Sequence, residues 1–211
     1  MSKIILWFVK ITGYLPHLFF FRKKIHYVNK QVQSRKIKNH AIIVSNHLSI
    51  WDVALYMFVF VRRNIHILVG EVMYQKNKLF TWFLKKIGGI KVDRDTYNFN
   101  FLNEAINVLD KGGVIEIYPE ARLPRDDEKD MLEFKPSFVY IALESGAPII
   151  PVCTNGSYGK RKRTHVLIGE PINLRELYND NLTEKENIDF LTKFVYDYIY
   201  DLRKMLDEKT K

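Results

Sequence analysis

Ala41-Ile42-Ile43-Val44-Ser45-Asn46-His47-Leu48-Ser49-Ile50-Trp51-Asp52 joins an unbroken apolar run to a polar turn and then to a second apolar segment. Because the run does not alternate, it predicts a strand buried on both faces, and the residues from about Ile50 to Val61 predict a helix after it. A strand that hands its polar residues directly to a helix is the repeating unit of an α/β layer fold.

The same alternation continues outward. Ile65–Gly70 reads as a second strand, Leu79–Ile87 as a helix, and Gly88-Gly89 as a turn before an extended piece through Val92. Between Tyr97 and Asp110, Leu102, Ala105, Ile106 and Leu109 recur at helical spacing, and Lys111-Gly112-Gly113 supplies the stop. Val114–Tyr118 is a strand, Pro119–Glu133 a polar loop, and Pro136–Ser145 a helix ended by Gly146. Pro148–Cys153 and His165–Ile168 complete the strands. Near the end, Ile188, Leu191, Val195, Ile199, Leu202 and Leu206 trace an apolar stripe on a charged helix. The expectation is a single-domain α/β fold, a mixed sheet flanked by helices. Its catalytic domain spans 41–211 and follows a basic, apolar, membrane-associating helical segment, 1–40. A chain of 211 residues is long enough for one such domain.

The charge is unevenly placed. Nine of the 33 Lys and Arg residues fall in positions 1–40, where there is no Asp or Glu, leaving 24 basic against 24 acidic residues in the rest. Such a segment suits anionic lipid headgroups, at about 1 kcal/mol for each basic residue near the surface. Nucleic acid is the rival partner, but Ile4, Leu6, Trp7, Phe8, Phe19 and Phe20 lie among the charges and suit acyl chains, so no nucleic-acid partner is expected. Lys10, Gly13, Pro16 and His17 interrupt the apolar run from Ile4 to Phe21. The expected form is a short bent hairpin or amphipathic helix lying in the interface, with Arg22-Lys23-Lys24 at the headgroups. No small-residue cleavage site precedes Arg22, so a removable signal peptide is not expected.

The single cysteine, Cys153, excludes a disulfide framework within the chain and a zinc site of several thiolates; on its apolar strand it reads as core. His26, His40, His66 and His165 lack metal-ligand spacing, so no metal site is expected. The run Lys160-Arg161-Lys162-Arg163 reads as a solvated loop, or as a second contact to lipid or to an acidic acyl carrier protein.

His47 and Asp52 are five residues apart, about 140° in rotation on a continuous helix, so they would not face one another there. Ser49 and Asp52 have the N-cap and N3 spacing, which predicts a helix starting at Ser49 and leaves His47 in the preceding turn. From there His47 can fold back onto Asp52, which would fix its tautomer while the other ring nitrogen takes a proton from a hydroxyl. Simple capping by Ser49 and Asp52, with His47 an ordinary turn residue, is the alternative. Tyr118-Pro119-Glu120-Ala121-Arg122 stands where a strand ends and a loop begins, a usual place for ligand contacts in α/β sheets. Arg122 there could grip a phosphate and Glu120 a hydroxyl, or both could belong to surface ion pairs.

Two further blocks accompany these, Gly88-Gly89-Ile90-Lys91-Val92-Asp93-Arg94 and Phe134-Lys135-Pro136 leading to Gly146-Ala147-Pro148-Ile149-Ile150-Pro151-Val152. In order and spacing the four blocks, from about Ile42 to Gly169, resemble the glycerolipid acyltransferase family, whose best known members acylate 1-acylglycerol 3-phosphate. The resemblance implies that His47 and Asp52 form a catalytic dyad, that Arg94 and Lys91 lie near the acceptor phosphate, and that Glu120 and Arg122 bind the acceptor. It places Pro151 in the acyl-chain and structural region. It further implies direct attack of the acceptor hydroxyl on a thioester, with acyl-CoA or acyl carrier protein as donor substrate, no other cofactor, no metal and no acyl-enzyme. Lysophosphatidate and membrane lipids are the partners it suggests, at the cytoplasmic face of a membrane. The chain departs from the family pattern at Ala121, where a glycine commonly follows the glutamate. If that turn needs positive φ, alanine is strained there by about 1 kcal/mol.

Overall fold

The computed structural model describes residues 2–93, 99–128, 131–159 and 162–210. Two short helices, α1 (Lys3–Thr12) and α2 (Tyr14–Phe21), precede the strand β1 (Lys24–Tyr27). Then β2 (Ala41–Ser45) leads to α3 (Asp52–Val59), β3 (Ile65–Gly70) to α4 (Glu71–Tyr74) and α5 (Lys78–Ile87), and β4 (Gly89–Val92) to α6 (Asn100–Asp110). β5 (Val114–Ile117), α7 (Ser137–Ser145), β6 (Ile149–Thr154), β7 (His165–Ile168), α8 (Leu174–Leu177) and α9 (Glu184–Glu208) follow.

The described strands form one mixed sheet in the order β1-β7-β6-β2-β5-β3-β4. β2 lies between parallel β5 and β6, and β3 and β4 extend the parallel part; β7 runs antiparallel to β6 and parallel to β1. Side chains alternate across the pleat, so Ile42 and Val44 join the core under α6, α7 and α9, while Ala41 and Ile43 join the core under α3. Both faces are covered, which is why all five residues of β2 are buried. The stripe on α9 packs as its spacing predicts, each of its six residues no more than 3% exposed. Burial of each such side chain stabilises by about 1.5–3 kcal/mol. Thr183 and Glu186 close its N-terminus in a capping box.

Elements read from sequence recur within two or three residues of their expected ends. The helix expected over Ile50–Val61 spans Asp52–Val59, and the one expected from Tyr97 begins at Asn100, Tyr97 itself lying outside the described residues. β1, α4 and α8 were not anticipated. Lys24–Tyr27 lies inside the segment 1–40, yet it pairs with β7 as the outer strand of the sheet; its polar composition is that of an edge.

The N-terminal helices meet at Gly13 with a 52° bend. A Cβ there would lie 2.7 Å from the Phe58 ring and 2.8 Å from the Val9 carbonyl, so glycine is what lets the bend approach α3. Lys10 Nζ donates to the carbonyls of Val61 and Arg63 and to Asn64 Oδ1, tying α1 to the turn after α3. Leu6 is buried, whereas Ile4, Trp7, Phe8, Leu15 and Phe19 are each at least 64% exposed. At roughly 1.5 Å per residue neither helix can cross a hydrocarbon core of about 30 Å. Taken together, the bent pair has the length and composition of one span.

Candidate active site

The parallel strands β2, β3, β4, β5 and β6 deliver their C-terminal ends to one edge of the sheet, and the polar residues collect there. β2 runs out into Asn46 and His47, β5 into Tyr118 and Glu120, and β6, which ends at Thr154, into the loop to Tyr158. Asn46 is buried and exchanges hydrogen bonds with the Thr154 backbone, Nδ2 donating at 3.1 Å and Oδ1 accepting at 3.0 Å. This locks the turn that carries His47.

His47 Nδ1 stands 3.0 Å from Asp52 Oδ2. The same carboxylate oxygen accepts from the backbone N–H of Leu48 at 2.8 Å and of Ser49 at 2.9 Å, and Tyr158 donates its hydroxyl to Oδ1. The expected capping box is therefore half formed. Asp52 caps Ser49, but the helix starts at Asp52, and Ser49 Oγ accepts from Trp51 instead. Asp52 is fully buried and its charge is answered by four hydrogen bonds. With Nδ1–H donated to Asp52, Nε2 carries the lone pair. That is the arrangement of a general base with its orienter.

The imidazole stacks on Tyr118, ring centroids 4.1 Å apart, and Tyr118 donates its hydroxyl at 2.7 Å to the buried Glu116. Burial pushes the Glu116 carboxyl well above the usual range. Glu120 is buried too, and it does not point at solvent or at Arg122. Oε1 accepts from the His47 N–H at 2.9 Å and Oε2 from the Leu132 N–H at 3.0 Å, stapling the turn that carries His47 to the loop after β5. Near the start of α3 the backbone N–H groups of His47, Leu48 and Ser49 are all committed to carboxylates.

Arg122 lies at the surface with both terminal nitrogens on Glu128, at 2.6 and 2.5 Å, and this partner holds the Glu128 carboxyl down to about 2. The side chain still lines a groove of about 250 Å³ that begins at His47 and runs over Ile50, Val53, Leu68, Val72 and Tyr118. Between Glu120 and Arg122, Ala121 adopts φ +61°, the left-handed region that the family's glycine enters without strain. Lys91 sits on β4, at the outer end of the same sheet edge, 3.8 Å from Glu71 and 3.7 Å from Asp93. Arg94 lies outside the described residues, as do Lys160 and Arg161. Pro151 is in the middle of β6, its ring packed over Gly169 beside Leu202 and Tyr198 of α9, a packing position away from the groove. Cys153 is buried, and burial raises its thiol to about 12, as a core cysteine's would be.

Tyr158 is the residue that sequence reading missed. It is 106 positions from Asp52 and carries no local motif. Burial and then Asp52 push its phenol up, so it remains a donor at any ordinary pH. Only the knowledge that β6 ends beside β2 could have pointed to the loop that follows it.

Comparisons with known proteins give the family. The family model described as Acyltransferase matches residues 24–155, more than half of the chain. A 1-acyl-sn-glycerol-3-phosphate acyltransferase of Bacillus subtilis is 28% identical over 149 residues, 68% of this chain and 71% of that protein. Another of the same name, from Limnanthes douglasii, is 28% identical over 178 residues, 80% of this chain and 61% of its own length. In fold, the 1-acyl-sn-glycerophosphate (LPA) acyltransferase PlsC of Thermotoga maritima matches with a TM-score of 0.65 at 22% identity, over 96% of this chain and 78% of that one. The matched span runs from β1 to just past β6 and contains His47, Asp52 and every groove residue named above, with Tyr158 beyond its end: the chain belongs to the acyltransferase family.

Proposed function

We propose that this acyltransferase moves a fatty acyl group from a thioester donor, acyl-CoA or acyl carrier protein, to the free hydroxyl of lysophosphatidate, giving phosphatidate. The observation that carries this reading is that His47 and Arg122 line one mostly apolar groove. A lysolipid has the matching parts: an acyl chain for the apolar wall, a hydroxyl for His47 Nε2, and a phosphate for cations at the surface. The names of the two curated relatives point to the same acceptor.

In the reaction, the glycerol hydroxyl gives its proton to His47 Nε2 as its oxygen attacks the thioester carbonyl. The tetrahedral intermediate then expels the thiolate, which takes the proton back from Nε2. Asp52 keeps its hydrogen bond to Nδ1 throughout and stabilises the transient imidazolium. Arg122 meets the phosphate by exchanging Glu128 for it, Lys91 adds positive charge on β4, and the family resemblance assigns Arg94 to the same phosphate.

The exposed apolar face of α1 and α2 and the acid-free charge of residues 1–40 support an interfacial position at the cytoplasmic face, where the lysolipid acceptor resides. The test is product analysis in lipid vesicles with labelled acyl-CoA or acyl carrier protein. Lysophosphatidate, lysophosphatidylcholine, glycerol 3-phosphate and water compete as acceptors. Phosphatidate as the main product supports the proposal. Release of free fatty acid regardless of acceptor would make the protein a hydrolase.

A further inference from the structure

A second cavity, of about 320 Å³, opens between α2, α3 and the stretch after β1, and shares no lining residue with the groove at His47. Arg22, Lys23 and Arg35 converge on it, and among the described residues that line it none is acidic. How the cations arrive there is specific. Arg22 is the C-cap of α2 and holds φ +44°, a conformation that costs a non-glycine residue and that a glycine would adopt freely. This turn sends Lys23 back under the helix, where its ammonium contacts His17 Nε2. His17 is itself buried and stacked flat on Phe58 of α3, centroids 4.1 Å apart. Arg35 closes the cavity from the other side.

Cations at the C-terminus of a helix are commonly no more than partners of its dipole. That accounts for Arg22. It does not account for Arg35, which comes from a different part of the chain, nor for Lys23, which gives up solvent to sit there. Burial, and then Arg35, hold the Lys23 ammonium down to about 8. A group kept charged only at that cost, in a cavity lined by two arginines and no carboxylate, is one that an anion would relieve.

We infer that this cavity is a phosphate site, in which Arg22, Lys23 and Arg35 grip one phosphate group supplied either by an anionic lipid headgroup or by a soluble phosphate ester. Arginine forks and a lysine point charge suit a phosphate's several oxygens. The cavity adjoins the exposed Tyr14 and Leu18 of α2, so a lipid phosphate seated in it would leave its chains beside the apolar face of that helix. The site is independent of the catalytic reading, and its test measures binding.

Full-length protein is titrated with inorganic phosphate and with glycerol phosphate by calorimetry in a neutral detergent. In parallel it is sedimented with vesicles of phosphatidylcholine alone or mixed with phosphatidylglycerol. Arg35→Gln should weaken phosphate binding on the order of tenfold or more, the loss expected for a charged hydrogen bond. Lys36→Gln, which removes the same charge next door but outside the cavity, should leave it intact. Near pH 8 binding should take up protons, as the anion restores the Lys23 charge, and Lys23→Met should abolish that uptake. If soluble phosphate competes with phosphatidylglycerol for the protein, the natural source is a headgroup; if phosphate binds and phosphatidylglycerol adds nothing, it is a soluble ester. No saturable phosphate binding, or equal losses in Arg35→Gln and Lys36→Gln, overturns the site and leaves only a diffuse positive field.

Discussion

Replacing Ala121 with glycine should stabilise the protein, although the change removes a methyl group next to the active site. Ala121 holds φ +61° in the turn that follows β5, its N–H donating to the Tyr118 carbonyl at 3.0 Å. A left-handed conformation costs an alanine about 1–2 kcal/mol. Glycine removes that strain but enlarges the unfolded ensemble, an opposing effect of about 0.4–1 kcal/mol. The net gain is therefore about 0.8 kcal/mol, and for a chain of this size that corresponds to a rise of about 2–3 °C in Tm. A mirror substitution serves as control. Gly112 has φ +74° and no atom within 4 Å of the place an alanine methyl would take, so Gly112→Ala should lower Tm by a similar amount through backbone strain alone. Differential scanning calorimetry of both variants in one detergent decides the matter. A fall in Tm for Ala121→Gly, with the expected fall for Gly112→Ala, would show that the turn holds Ala121 without strain and would refute the reasoning.

Tyr158→Phe removes the hydrogen bond to Asp52 Oδ1; kcat should fall roughly 10- to 100-fold, the range for a bond to a charged group, with KM for donor and acceptor unchanged. Unaltered kcat would show that the backbone donors hold Asp52 without it. Glu128→Gln frees the guanidinium of Arg122 and should lower KM for lysophosphatidate several-fold; a raised KM would mean that Glu128 positions Arg122 rather than competing with the phosphate. His26 and His165 lie 3.1 Å apart on β1 and β7, and burial, then neighbouring positive groups, lower both. The unfolded chain then takes up protons first, so stability should fall as pH drops below about 6.5. His165→Gln should flatten that part of the Tm–pH curve, and an unchanged slope would assign the acid loss elsewhere.

Particular residues show why some of this was legible in the sequence. Ala41–Val44 is apolar at every position because helices cover both faces of β2, and a short continuous run of that kind before polar residues reads as a buried strand. The stripe on α9 survives translation into structure because one face of a long helix must be buried. The contact of His47 with Asp52 could be anticipated because the two are five residues apart, close enough for a turn to join them, but the same spacing fitted simple capping, and it was the family resemblance that pointed to a dyad. Glu120 was read as a contact for the acceptor hydroxyl; it lies beside His47, where its partners are backbone N–H groups, which a sequence does not display. Its neighbour Arg122 has a carboxylate partner six residues on, one of several acids in that loop and none of them marked. β1 escaped notice because Lys24-Ile25-His26-Tyr27 is polar enough for an edge and sits among basic residues. Tyr158 could not be read locally at all, since its role exists only once β6 has been laid beside β2.

The most direct test of the central claim is the rate of acyl transfer to lysophosphatidate by wild type and His47→Ala in the same vesicles, with folding verified by calorimetry. General-base catalysis predicts a loss of about 10²–10⁴ in kcat, with vesicle binding unchanged. Full activity in folded His47→Ala would contradict the account.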